Sequence, residues 1–249
     1  MPPLLQIGSM SISKAHAFTD FLQNYLPDQV QRDLKSGRYK SALSLGCYHS
    51  VELQILYHFC DFDYLVGVDQ EFESNLAYFA TDKFGISDGG GPYKSIYDLY
   101  KRGFDPSAGN PTNPKIETQE DYDKIFQVHY GLTQFDYLFN KATIHDNGSY
   151  EIEPEFDVII SSNTLHFEKQ ETNCTTIIEM MGRILKPGGL IYIRVKEFPG
   201  EPNPLFASMD TGSLAKKIMD SFESFGIKKY ENVPSETEGR AITYTNISG

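Results

Sequence analysis

The stretch SALSLGCYHSVELQILYHFCDFDYLVGVDQ, Ser41 to Gln70, reads as strand, turn, helix and strand. Ala42 to Leu45 is a short apolar run broken by Gly46, and Ser50 is placed to cap a helix over Val51 to Phe59. Tyr64 to Val68 is a second run, β-branched and aromatic, which stops at Asp69, 23 residues beyond Gly46. A βαβ unit sets a nucleotide over its first turn and an acid at the end of its second strand. There a carboxylate accepts hydrogen bonds from two ribose hydroxyls. The stretch therefore predicts a cofactor that contains a nucleoside.

Working outward, Ser13 caps a predicted amphipathic helix whose apolar positions Phe18, Phe21, Leu22, Tyr25 and Leu26 share one face before Pro27. After Asp69, Glu71 to Phe84 reads as a helix that Gly85 stops. The alternation then fails. Ser87 to Pro114 is rich in glycine and proline, and Thr118 with Asp121 opens a capping-box helix to about His129. Residues of about 86–132 form an insertion longer than a plain connection, which predicts that they shape or cover a site. Phe135 to Phe139 is the candidate third strand, followed by a turn at Asp146-Asn147-Gly148. FDVIIS, Phe156 to Ser161, predicts a strand buried inside a parallel sheet. A helix over Thr172 to Leu185, a Lys186-Pro187-Gly188-Gly189 turn and a strand over Leu190 to Val195 follow. Leu214 to Phe225 reads as the last helix, and Ile227 to Asn232 with Ala241 to Asn246 as two strands able to pair antiparallel. No linker divides the chain, so one domain over residues 1–249 is predicted, with residues 1–38 as an N-terminal helical segment.

The 249 residues suffice for a full hydrophobic core. A net charge of −12, from 22 basic and 34 acidic side chains, disfavours broad contact with nucleic acid or anionic lipid, which basic residues drive. Cys47, Cys60 and Cys174 have no metal-ligand spacing and read as reduced thiols of a cytoplasmic protein. No signal peptide and no apolar run of membrane-spanning length is apparent, so the Asn-x-Ser/Thr triplets at Asn147, Asn173 and Asn246 are taken as chance.

ALSLGCYHS, LVGVD, FDVIISSNTLHF and EMMGRILKPGGLIYIRV together make the chain resemble the class I S-adenosylmethionine-dependent methyltransferases. The likeness runs from about Tyr39 to Asn246, with residues of about 86–134 unmatched. It implies a Rossmann-like, doubly wound α/β fold with a seven-stranded sheet, mostly parallel with an antiparallel final strand, plus N-terminal helices and the insertion. It implies S-adenosylmethionine as cofactor, bound by Gly46, Cys47, Tyr48, Asp69, Gln70, Asp146, Ser161, Ser162 and Asn163, with His166 as the catalytic base and no metal. In that arrangement Gly46 lets the backbone approach the methionine tail and Asp69 holds the ribose; the adenine-side acid is Asp146 by its distance before Phe156, while Asn140 or Ala142 takes that place if the strand is Phe135 to Phe139. The first glycine motif is degenerate. Tyr48 stands where the family usually has glycine, and Ser50 where it often does.

Methyl transfer is an in-line displacement at carbon, which depends mostly on holding the acceptor against the methyl group. The turn Ser161 to His166 follows the fourth strand, where open α/β folds bind ligands, and His166 is its most basic group near neutral pH. Asn-Pro-Pro-Tyr is absent there, and no Pro-Cys pair marks cytosine methylation. The acidic chain with its tyrosine-rich insertion fits a small-molecule or peptide acceptor. A non-catalytic methyltransferase-like binding protein is the alternative that Tyr48 motivates. A nicotinamide oxidoreductase is disfavoured, because the turn lacks G-x-G-x-x-G.

Overall fold

The computed structural model describes residues 28–47, 52–53, 56–57, 60–70, 118–162, 164–165, 171–196, 218, 220–229 and 240–247. In chain order its elements are α1 (Asp28–Lys35), β1 (Ser41–Leu45), β2 (Tyr64–Asp69), α2 (Gln119–Ile125), β3 (Phe126–Tyr130) and α3 (Gln134–Asn140). There follow β4 (Thr143–Ile144), β5 (Tyr150–Glu151), β6 (Phe156–Ser162), α4 (Glu171–Ile184), β7 (Leu185–Lys196), β8 (Ile227–Lys229) and β9 (Arg240–Ile247). Contacts divide the chain into two units, residues 1–40 with 47–131, and residues 41–46 with 132–249.

In the first unit β2 and β3 run parallel, with Leu65 opposite Phe126 and Asp69 opposite Tyr130. Leu65, Val66 and Val68 are fully buried, the continuous apolar pattern of a strand covered on both faces. Helical residues Leu53, Leu56 and Tyr57 are buried as well, and the Tyr57 ring meets Phe126 edge-on at 5.3 Å between centroids. Lys40 ties the approach to β2. Its carbonyl accepts from the amides of Asp63 and Tyr64, and its ammonium donates to Asp61 Oδ2 at 2.6 Å. That hydrogen bond raises the Lys40 pKa above its ordinary value.

In the second unit β1, β6, β7, β9 and β8 lie side by side as a mostly parallel sheet with helices. β1 pairs parallel with β6, β6 parallel with β7, and β9 runs antiparallel to both β7 and β8. Val158, Ile159, Ile160, Ile191 and Ile193 form the sheet's core, with Ile177, Ile178, Met181 and Ile184 of α4 buried too. At the amino ends of β1 and β6 the Ser41 amide donates to Asp157 Oδ2 at 2.9 Å. The Ser41 hydroxyl lies 2.9 Å from that oxygen and accepts from the Asp157 amide at 3.1 Å. Lys186 Nζ donates to the same hydroxyl at 3.1 Å and lies 3.3 Å from Asp157 Oδ1.

Several expectations are met closely. β1, β2 and β6 fall where the apolar runs put them, and the two closing strands pair antiparallel. The Asp146-Asn147-Gly148 turn closes the β4–β5 hairpin, with Gly148 at φ +79°. The third strand is a correction. Phe135 to Phe139, expected as a strand, lies inside α3, because the Thr133 hydroxyl accepts from the Asp136 amide at 2.9 Å and caps a helix there. The strand is Phe126–Tyr130, within residues assigned to the insertion, and the capping-box helix at Thr118 ends at Ile125 rather than near His129. Phe126, Val128 and Tyr130 are the apolar and aromatic members that pairing with β2 uses. The helices expected over residues 13–26 and 71–84 lie outside the described residues.

Candidate functional site

Open α/β sheets bind ligands at the carboxyl ends of their strands. In the second unit β1 ends beside β6, with Leu45 opposite Ser161. Gly46 follows at φ +71°, a left-handed conformation that side chains strain to adopt. A β-carbon added to Gly46 would meet Thr164 Cβ at 2.6 Å and the Thr164 methyl group closer still. Thr164, 8% exposed, donates from its hydroxyl to the Leu45 carbonyl at 3.0 Å. The Ser161 hydroxyl, wholly buried, lies 2.8 Å from the Thr164 hydroxyl. Gly46, Ser161 and Thr164 are thus packed together at one end of the sheet.

The space that glycine leaves is filled by Thr164. Glycine at position 46 thus has an internal reason, a positive φ and a neighbouring side chain, beside the expected close approach of a ligand. Thr164 lies in the Ser161 to His166 turn expected at the site, but no role of its own was assigned to it. Its signal in the sequence was slight, a hydroxyl three residues beyond Ser161 in an otherwise polar turn.

In the first unit the Cys47 amide donates to the Val68 carbonyl at 3.0 Å, and the Cys47 thiol lies against Gly67. A β-carbon on Gly67 would meet Cys47 Sγ at 2.8 Å and Val128 Cγ1 at 3.2 Å, so this strand has no room for a side chain there. Asp69 closes β2 partly exposed, and Gln70 beyond it is exposed. The Gly131 amide donates to the Asp69 carbonyl at 3.0 Å, and Gly131 adopts φ +75°. The end of β3 is thereby held beside Asp69. Cys47 and Asp69 are brought to the same strand ends.

Asp146 is exposed on the β4–β5 hairpin, a two-stranded sheet of its own. Tyr48, Asn163 and His166 lie outside the described residues, as does the side chain of Ser162. Among the described residues no group of three or more His, Cys, Asp or Glu side chains could hold a metal ion. No helix among them is long and apolar enough to cross a membrane.

The donor set suits the cofactor that the resemblance implies. In the first unit, a partly exposed carboxylate at a strand end, as Asp69 is at the end of β2, can accept from a vicinal diol. The strand order, with one antiparallel strand set between β7 and β8, defines a Rossmann-like methyltransferase fold.

Comparison with solved structures agrees. The N-methyltransferase NodS of Bradyrhizobium japonicum WM9, in complex with S-adenosyl-L-homocysteine, matches with a TM-score of 0.51 at 12% identity, over 100% of this chain and 92% of that one. A possible exported protein from Bordetella parapertussis matches with a TM-score of 0.52 at 14% identity, over 95% of this chain and 68% of that one. At such identities the likeness is one of fold, and the fold is that of class I methyltransferases. No family model and no curated protein matches the sequence.

Proposed function

We propose that this protein transfers a methyl group from S-adenosylmethionine to a small-molecule or peptide acceptor. The observation that carries the reading is Asp69, a partly exposed acid at the end of a parallel strand, 23 residues beyond a left-handed glycine turn in a methyltransferase fold. The expected seven-stranded sheet is part of the same proposal. The cofactor supplies an electrophilic methyl on a sulfonium, and the residues need chiefly to bind and orient. Asp69 with Gln70 would hold the ribose, and Gly46, Cys47 and Tyr48 would lie along the amino-acid tail. Ser161, Ser162 and Asn163 would border the methyl, with His166 taking the proton that an acceptor hydroxyl or amine loses.

The acidic chain favours an acceptor other than nucleic acid, since backbone phosphates are held by basic side chains. Cys47, Cys60 and Cys174 are buried thiols outside any disulfide, which supports a cytoplasmic location. Titration calorimetry with S-adenosylmethionine and S-adenosylhomocysteine tests the proposal. Binding of both at one site per chain is expected. A folded sample that gives heat with neither overturns it.

A further inference from the structure

We propose that Thr164 is a positioning residue that ties the first turn to the segment after β6, so that a ligand ordering one of them orders the other. The ligand in this inference rests on the methyltransferase reading. The tie itself rests only on contacts within residues 41–46 and 132–249.

One side chain holds both ends of one peptide plane. The Thr164 hydroxyl grips the carbonyl of Leu45, and the Thr164 methyl lies against the α-carbon of Gly46, which closes the same peptide unit. Rotation of that peptide would break the hydrogen bond and drive the Gly46 backbone into the methyl group. A threonine hydroxyl has a single proton, and here it goes to Leu45. The Ser161 hydroxyl, 2.8 Å away and fully buried, must then donate to Thr164, which completes the chain Ser161 to Thr164 to Leu45. Both hydroxyls are out of reach of water, so loss of either leaves a buried group without its partner. Thr164 stands between the residues proposed to face the acceptor, Ser162 and Asn163 on one side and His166 on the other. Any shift of the Leu45–Gly46 peptide is therefore felt at the acceptor side of the site.

Hydrogen exchange of the full chain, read by mass spectrometry with and without S-adenosylhomocysteine, tests the tie. In the wild type and in Thr164→Ser, which keeps the hydroxyl chain, the ligand is expected to slow exchange over residues 42–47 and over residues 160–168. Thr164→Val keeps the shape and loses the hydroxyl. It should retain protection at residues 64–70 while protection at 160–168 drops about tenfold, the scale of one buried group left unpaired. A purely structural role would lower thermal stability in Thr164→Val and leave ligand protection equal at the two segments, and that result overturns the proposal. So does a Thr164→Ser variant that behaves like Thr164→Val. If Thr164→Val does not fold, Ser161→Ala removes only the outer donor. It should weaken protection at 160–168 in the same direction, and unchanged protection counts against the tie. No protection in any wild-type segment overturns the methyltransferase reading instead. Exchange at 44–47 without ligand, expected to be faster in Thr164→Val, still judges the hydroxyl chain in that case.

Discussion

The backbone amide of Gly131 donates to the carbonyl of Asp69 at 3.0 Å. The acid that ends β2 is thereby anchored to the first residue after β3, and its backbone is held in place before any ligand arrives. Pre-placed groups bind without a further ordering cost.

Asp69→Ala is expected to weaken S-adenosylhomocysteine binding by about 1–3 kcal/mol, because the two ribose hydroxyls that Asp69 is proposed to hold lose their acceptor. Glu153→Ala, exposed between β5 and β6 and outside the proposed site, is expected to leave that affinity within about twofold, the ordinary scale of an exposed substitution. Calorimetry on both variants checks the pair. Equal effects at the two positions would remove Asp69 from the site.

Gly46→Ala should destabilise the protein with no ligand present, by roughly 2–4 kcal/mol. A left-handed alanine costs about 1–2 kcal/mol, and crowding Thr164 adds a similar amount. Urea denaturation without ligand measures it. Had ligand approach been the only reason for glycine, stability without ligand would not change.

Asp157→Ala should cost about 2–4 kcal/mol of stability, since Asp157 accepts from the Ser41 amide and pairs with Lys186 at the amino ends of the strands. The proposed site lies at the opposite ends of β1 and β6, so ligand affinity of the folded fraction should hold. Denaturation combined with calorimetry at low temperature separates the two. A loss of affinity at full folding would contradict this assignment.

Burial pushes the Cys60 thiol up to about 12. Iodoacetamide at pH 8 should therefore label Cys60 only after unfolding, because the thiolate is the nucleophile. Labelling of the folded protein within minutes, seen by mass spectrometry, would show that the site opens. The raised value also sets a pH dependence. The folded chain holds this proton more tightly than the unfolded one, so Cys60's contribution to stability is complete below pH 9 and falls as pH rises toward 12.

Among the described residues, Glu52 has both carboxylate oxygens buried and without a hydrogen-bond partner. Glu52→Leu should raise stability, by about 1 kcal/mol, since buried polar oxygens without hydrogen bonds cost their lost hydration. Thermal unfolding checks it, and a destabilised variant would show that the carboxylate has a structural role.

Local pattern alone was enough for β1, β2, β6, α4 and the paired closing strands. Their apolar runs are long or sharply bounded by glycine, proline and polar turns, so nearest-neighbour chemistry decides them. It was also enough for the acid at the end of β2, whose position follows from counting along one βαβ unit. Two features depended on residues far apart in the chain. FQVHY and FDYLF are both five-residue runs rich in aromatic and apolar side chains, and their composition does not separate strand from helix. Pairing of Phe126–Tyr130 with β2 and the cap of Thr133 on Asp136 made the choice. One reason for glycine at position 46 lay at Thr164, 118 residues on. A turn's backbone angle is a local matter, but what fills the space beside it is set by packing, and packing exists only once the chain has folded.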